Sequence, residues 1–142
     1  MTRSTKLIDP TDAPGTGEAN VYVLGGGSTG VAVARRLRAE DRSVALIDAA
    51  SASATGVPTR RADPTDPAAL ADAGVEDAPT VVVATPSDSR NLLVAQLAVA
   101  RFDVDRVVVR ANCPTRRRAL ADAGHDTVCG TTAVADAMVD RV

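Results

Sequence analysis

A glycine-rich run at residues 25–30, Gly-Gly-Gly-Ser-Thr-Gly, separates two segments of different periodicity and leaves few folds open to this chain. Residues 21–24 before it form a short apolar, β-prone run that is typical of a buried strand. After it, apolar residues recur at helical spacing over residues 28–40, with arginines on the opposite face. A strand that turns through glycines directly into an amphipathic helix indicates the first unit of a parallel α/β sheet.

The rest of the chain continues this alternation of strands and helices. Strands are predicted at residues 44–47, 57–61, 80–84, 107–109 and 127–129, and helices at 68–73, 87–101, 115–123 and from Thr131 or Thr132 onward. The pair Asp66-Pro67 predicts a helix cap followed by a proline at the first helical position. Because right-handed crossovers join parallel strands, we expect a three-layer, Rossmann-like, doubly wound α/β sheet with strand order 3-2-1-4-5-6.

The length of the chain favours one domain, and its composition gives this domain no strong net charge. We expect it to span residues 20–142, after a flexible N-terminal arm over residues 1–19 that has no hydrophobic period. A formal net charge of −2 and almost no aromatic residues argue against nucleic-acid binding. The two cysteines lack the companion ligands of a zinc site. Without a membrane-spanning run or a signal peptide, the expected location is cytoplasmic, or peripheral at the inner face of the membrane.

The glycine run has the spacing of a dinucleotide-binding loop. Gly25 permits the tight turn, Gly27 lets a pyrophosphate approach the backbone, and Gly30 lets the helix pack closely on the strand. Free amides and the positive end of the helix dipole then bind the phosphates without a basic side chain. Gly26 belongs to the same loop, and Ser28 and Thr29 can add hydroxyl donors. A plain glycine turn is the alternative.

Asp48 ends the second strand eighteen residues after Gly30, which is where a ribose-binding acid is expected. Its carboxylate would accept hydrogen bonds from both ribose hydroxyls and would repel an additional 2′-phosphate. We therefore expect NAD(H) or an adenine nucleotide (ATP, ADP or AMP), and NADP(H) is disfavoured. S-adenosylmethionine is the main rival ligand, since methyltransferases use a similar loop and acid.

The predicted strand that ends at Val83-Ala84-Thr85 is followed by Asp88 and Asn91, which open the next helix. This segment is the most specific match by which the chain resembles the N-terminal domain of regulators of potassium conductance, known as the RCK N-terminal or TrkA-N domain. Residues 62–65, 73–75, 109–112 and 123–128 also look like the family's segments. The resemblance implies four further residues that line the nucleotide cleft: Asp63, Thr65, Thr85 and Asp88.

Three departures from the family pattern stand beside this likeness. The chain has Ser28 where the family commonly carries arginine, and Ala50 where a second acid often follows. It stops at Val142, without the smaller ligand-binding domain that usually follows, so we expect partner contacts to use the Rossmann domain itself.

Simpler interpretations of the matched residues also stand. They make Asp88, Asn91 and Thr131 helix caps, Arg110 a strand-end arginine and His125 a loop residue.

The chain lacks the groups that an autonomous oxidoreductase needs beside its cofactor. Tyr22 lies in the first strand and Lys6 in the arm, so no Tyr-x-x-x-Lys pair exists. The resemblance then implies a non-catalytic, nucleotide-sensing regulatory subunit. Its expected partners are further copies, in a homodimer or larger oligomer, and a membrane potassium transporter or channel. The alternatives are an accessory domain of an antiporter or NAD-dependent enzyme, and an S-adenosylmethionine-binding protein.

Overall fold

The computed structural model describes residues 19–50 and 56–142, which form six strands and five helices. Their bounds are β1 (Val21–Leu24), α1 (Gly27–Ala39), β2 (Val44–Ile47), β3 (Thr59–Arg60), α2 (Pro67–Asp72), β4 (Thr80–Val83), α3 (Asp88–Ala100), β5 (Arg106–Ala111), α4 (Pro114–Asp122), β6 (Asp126–Cys129) and α5 (Gly130–Val139). All strand pairs are parallel, and the order is β3-β2-β1-β4-β5-β6. The predicted Rossmann-like sheet is confirmed.

The two faces of the sheet are covered unequally. On one face, a large apolar core joins the strands to α2, α3 and α4 through side chains such as Leu70, Val94 and Leu120. On the other face, α1 packs over β1 and β2 through Ala34, in a smaller core with Val23 and other strand residues. Successive β1 residues enter opposite cores because side chains alternate along a strand. Helix α5 contributes no buried residue.

The cap predicted from the sequence is present at α2 but not at α5. Asp66 caps α2 as predicted, since its side chain accepts a hydrogen bond from the Ala68 amide and Pro67 is the first helical residue. The predicted cap of α5 by Thr131 or Thr132 was wrong, because β6 runs directly into α5 and Cys129 occupies the cap position, where it makes no side-chain capping hydrogen bond. The predicted arm lies outside the described residues except for Ala19, which is buried.

Candidate functional site

The glycine turn lies at the carboxyl end of β1, where the strand order reverses between β1 and β4. Gly25 and Gly26 have φ angles of 75° and 101°, which favour glycine. A Cβ on Gly26 would stand 2.9 Å from the Ala84 carbonyl oxygen, and one on Gly30 would stand 2.1 Å from the Gly25 carbonyl oxygen. The turn is therefore closed by backbone contacts that only glycine permits.

Backbone amides at the start of α1 remain open. The Thr29 and Gly30 amides donate to the Gly26 carbonyl at 3.0 and 3.2 Å. Among residues 19–50 and 56–142, no acceptor meets the amides of Gly26 and Ser28. The positive end of the helix dipole adds to these donors. We call this open end, with Gly26, Ser28 and the neighbouring Asp48 carboxylate, the α1 mouth. It has the chemistry of an anion-binding site.

Asp48 lies where the sequence predicted it, at the end of β2 and against the glycine turn. Its side chain is buried, at 7% exposure. One carboxylate oxygen accepts from the Gly27 amide at 3.0 Å, and the other accepts from the Ala50 amide at 3.0 Å. A carboxylate offers about four lone-pair positions, so Asp48 can still accept hydrogen bonds from a ligand.

Asp63 and Thr65 form a compact turn after β3, near the glycine turn. The Asp63 carboxylate accepts from the Thr65 amide at 2.9 Å and from the Thr65 hydroxyl at 2.7 Å. The hydrogen bond from the Thr65 amide is the main cause that holds the pKa of Asp63 below its ordinary value. Arg90 of α3 adds an exposed ion pair at 3.2 Å. Pro64, between the two predicted residues, would lie 3.9 Å from a Cβ on Gly25.

Thr85 touches the glycine turn with its methyl group, while its hydroxyl is bonded inside the protein. A Cβ on Gly25 would stand 2.5 Å from the Thr85 methyl carbon. The Thr85 hydroxyl donates to the Asn91 side-chain oxygen at 2.5 Å and accepts from the Ser87 amide at 3.2 Å. Thr85 is 6% exposed. Its place in the structure is that of a residue that packs the turn.

Asp88 and Asn91 connect the loops rather than cap α3. The Asp88 carboxylate accepts from the Asn112 amide at 2.7 Å and the Cys113 amide at 3.2 Å, and so braces the turn between β5 and α4. Asn91 is fully buried and donates to the carbonyl oxygens of Thr85 and Arg110, both at 2.9 Å. The helix cap is Ser87, whose side chain accepts from the Arg90 amide. The cap interpretation of Asp88 and Asn91 was wrong.

Two charged residues near the mouth were missed by the sequence analysis. Arg90, mentioned above, reaches Asp63 across 27 positions of sequence. Arg61 donates from Nε to the Ala49 carbonyl at 3.3 Å, which brings a guanidinium next to the residue that follows Asp48. Sequence spacing could not reveal either contact, because both arise from chain segments that meet only through the sheet order.

His125 lies at the opposite edge of the sheet, just before β6. The imidazole is buried at 9% exposure, and its Nε2 has no hydrogen-bond partner in the described part of the chain. Burial lowers the pKa of the imidazole. His125 stands at the amino end of β6, whereas the α1 mouth lies at the carboxyl ends of β1 and β2. We therefore expect His125 to affect the stability of the fold and not ligand binding at the α1 mouth.

Across residues 19–50 and 56–142, His, Cys, Asp and Glu side chains form no group of three that could hold a metal ion. Over the same ranges, no helix is both long enough and apolar enough to cross a bilayer.

Comparison with known proteins gives one family and several related structures. The TrkA-N domain profile matches residues 21–131. The Trk system potassium uptake protein TrkA of Streptomyces coelicolor is 28% identical over 129 residues, covering 87% of this chain and 58% of that protein. TrkA of Haemophilus influenzae is 28% identical over 96 residues, covering 63% of this chain and 21% of that protein. The chain thus spans about a fifth and somewhat over half of these relatives.

Among solved structures, GsuK is similar to this chain. GsuK bound to ADP superposes with a TM-score of 0.77 at 25% identity, covering 90% of this chain and 34% of that one. The GsuK channel bound to NAD gives a TM-score of 0.77 at 25% identity, covering 84% of this chain and 22% of that one.

Proposed function

Because the chain belongs to the TrkA-N domain family, we propose that it is a non-catalytic, nucleotide-sensing regulatory domain that controls potassium uptake or conductance. The expected ligand is NAD(H) or an adenine nucleotide. Two observations on similar proteins support this: curated relatives are named potassium uptake proteins, and GsuK has been solved with ADP and with NAD. The nucleotide would bind at the α1 mouth.

The observation that carries the proposal is the pairing of bare amides with a buried acid. The Gly26 and Ser28 amides, unpartnered within the described residues, would donate to a phosphate at the positive end of α1. Asp48, fixed by the Gly27 amide, would accept from the ribose hydroxyls with its remaining lone pairs. The α1 mouth therefore offers hydrogen-bond donors for a phosphate and, next to them, a hydrogen-bond acceptor for the ribose to which that phosphate is joined.

The remaining predicted site residues fall into two groups. We assign Asp63 and Thr65 to the rim of the cleft, because their turn adjoins Gly25 and leaves both side chains partly accessible. We assign Thr85 and Asp88 to positioning, because their polar atoms are bonded to neighbouring loops. Substitution of the second group would act through the shape of the turn.

A thermal-stabilisation series tests the proposal. The panel is NAD, NADH, NADP, ATP, ADP, AMP and S-adenosylmethionine, with NADP included because Arg61 adjoins Ala49. A ligand at 100 times its dissociation constant adds about 2.7 kcal/mol to the free energy of unfolding. We expect stabilisation by NAD(H) or adenine nucleotides. Stabilisation by S-adenosylmethionine alone, or by nothing in the panel, would overturn the proposal.

Asp48→Asn distinguishes specific binding from a general ionic effect. Loss of charge-assisted hydrogen bonds worth about 1.5–3 kcal/mol should weaken nucleotide affinity by roughly ten- to a hundredfold. Asp122→Asn, an exposed substitution on α4, is the matched control and should leave affinity unchanged. Equal affinity in the wild type and Asp48→Asn would refute the ribose role.

A regulatory domain also needs a surface through which its state is read. Helix α5 exposes Val134, Met138 and Val139 at 59%, 66% and 70%. Exposed apolar side chains in one patch are typical of interaction surfaces. We therefore expect a homodimer or larger oligomer and a membrane potassium transporter or channel as partner. Sedimentation velocity with and without nucleotide tests the first expectation, and a strictly monomeric chain at high concentration would contradict it.

A further inference from the structure

A groove of about 820 Å³ runs along the sheet from the start of α1 to α5. We call it the α1–α5 groove. Valines of three strands form its floor, helix α1 contributes Thr29 and Val33, and helix α5 contributes Val134 and Met138. Its lining is mainly apolar, with one cationic side chain, Arg110. Arg110 is partly exposed in this groove, so its guanidinium is accessible to a ligand that enters there.

Arg110 has no anionic partner among residues 19–50 and 56–142. Within the described residues, the only hydrogen bond of its guanidinium runs from Nη1 to the Ala84 carbonyl at 3.5 Å. No described carboxylate lies within 4.0 Å of its guanidinium, whereas two other arginines, Arg90 and Arg106, form ion pairs. A guanidinium has five N–H donors, arranged to bind carboxylate or phosphate in pairs. Most of the donors of Arg110 are therefore available to a ligand.

The guanidinium lies beside the glycine turn. The same Ala84 oxygen that accepts from Arg110 would stand 2.9 Å from a Cβ on Gly26. On its other side, Arg110 Nε would stand 3.6 Å from a Cβ on Gly130, the first residue of α5. The cation thus lies between the amide end of α1 and the start of α5. A phosphate that follows the one at the α1 mouth, on the side away from Asp48, would meet it.

We propose that Arg110 binds the second phosphate of the nucleotide, an assignment that rests on the proposed function. The glycine turn itself carries no basic side chain, and Arg110 supplies the missing cation from β5. The site would then select ligands with a diphosphate, such as ADP and NAD, over AMP. A guanidinium gives a phosphate two parallel charge-assisted hydrogen bonds, which a monophosphate held at the mouth does not receive.

Isothermal titration of the full chain with ADP, NAD and AMP tests this assignment. Wild type should bind ADP roughly ten- to a hundredfold more tightly than AMP. Arg110→Gln should remove this preference by weakening ADP and NAD while leaving AMP unchanged. Arg116→Gln, an exposed substitution on α4, is the control and should keep the wild-type ratio.

The outcomes separate the two proposals. An unchanged ratio of ADP to AMP affinity in Arg110→Gln would overturn the Arg110 assignment alone. If wild type bound none of the three nucleotides, the proposed function would fall and this assignment with it. Should Arg110→Gln not fold, Arg110→Lys decides, because it keeps the charge and loses the paired geometry. The lysine variant should lose several-fold of the ADP preference, and a full wild-type ratio would refute the assignment.

Discussion

Replacement of Gly30 by alanine should break the packing of α1 on the glycine turn. The added Cβ would stand 2.1 Å from the Gly25 carbonyl oxygen and 3.2 Å from the Gly25 carbonyl carbon. Ordinary carbon–oxygen contacts lie at about 3.3–3.6 Å, so helix and turn must separate by more than about 1 Å. Both sides of the clash are backbone, and no side chain can rotate away.

The expected loss of stability follows from that geometry. Overpacking costs about 1–3 kcal/mol and occasionally more, and a rigid backbone contact places Gly30→Ala at the upper end. For a domain of this size we expect the melting temperature to fall by roughly 10 °C. Circular dichroism melts would measure it. A melting temperature within about 2 °C of wild type would refute the packing argument.

Gly27→Ala is the matched control for the same loop. A Cβ there would find nothing within 4 Å, although the φ of 53° carries backbone strain. The strain of about 1–2 kcal/mol should lower the melting temperature by less than Gly30→Ala does. Since the methyl group would project into open space at the α1 mouth, we expect loss of nucleotide stabilisation with the fold retained. Full stabilisation by nucleotide would contradict the placement of the ligand.

Three further predictions concern groups away from the glycine turn. Asn91→Leu removes the side-chain partner of the Thr85 amide and of the Arg110 carbonyl, both of which it bonds inside the protein, so chemical denaturation should show a loss of about 3 kcal/mol. A loss below about 1 kcal/mol would contradict this bonding role. Burial lowers the pKa of His125 in the folded chain, so on acidification the unfolded chain binds the proton first. The free energy of unfolding should therefore decrease as the pH falls from about 6.5 towards the pKa of the folded chain. Melts at several pH values should show a weaker dependence in His125→Gln, and equal slopes would rule this out. Hydrogen bonds with Thr115 and Thr132 lower the pKa of both Cys113 and Cys129, but only Cys113 is exposed, so iodoacetamide should alkylate Cys113 faster. Mass spectrometry can measure the two rates, and the reverse order would refute the prediction.

The sheet and the frame of the site could be predicted because they depend on local patterns. Apolar runs separated by helical segments imply parallel strands and right-handed crossovers, and these give the strand order. The spacing from Gly30 to Asp48 follows from the length of one helix and one strand. Asp66 was recognisable as a cap because its partner amide lies two residues away. Interactions over short sequence separations leave a readable signal.

Contacts between distant segments could not be predicted. Asn91 near the start of α3 looks like a capping residue, but its partners Thr85 and Arg110 are six and nineteen positions away and meet it only in the folded sheet. Arg110 looked like an ordinary strand-end arginine, since no sequence pattern reveals the α1–α5 groove or the lack of a nearby carboxylate in the described part of the chain. Spatial isolation of a charge becomes visible only with coordinates.

Helices α1 and α3 cover opposite faces of the sheet and are packed onto it to different extents. Helix α3 buries Asn91 and three apolar side chains, whereas α1 buries only Gly30 and Ala34. Small contacts cost less to break, so the amide hydrogens of α1 should exchange with solvent sooner than those of α3. The helix that presents its amides to a ligand is thus less firmly packed than α3, and a bound ligand should slow its amide exchange.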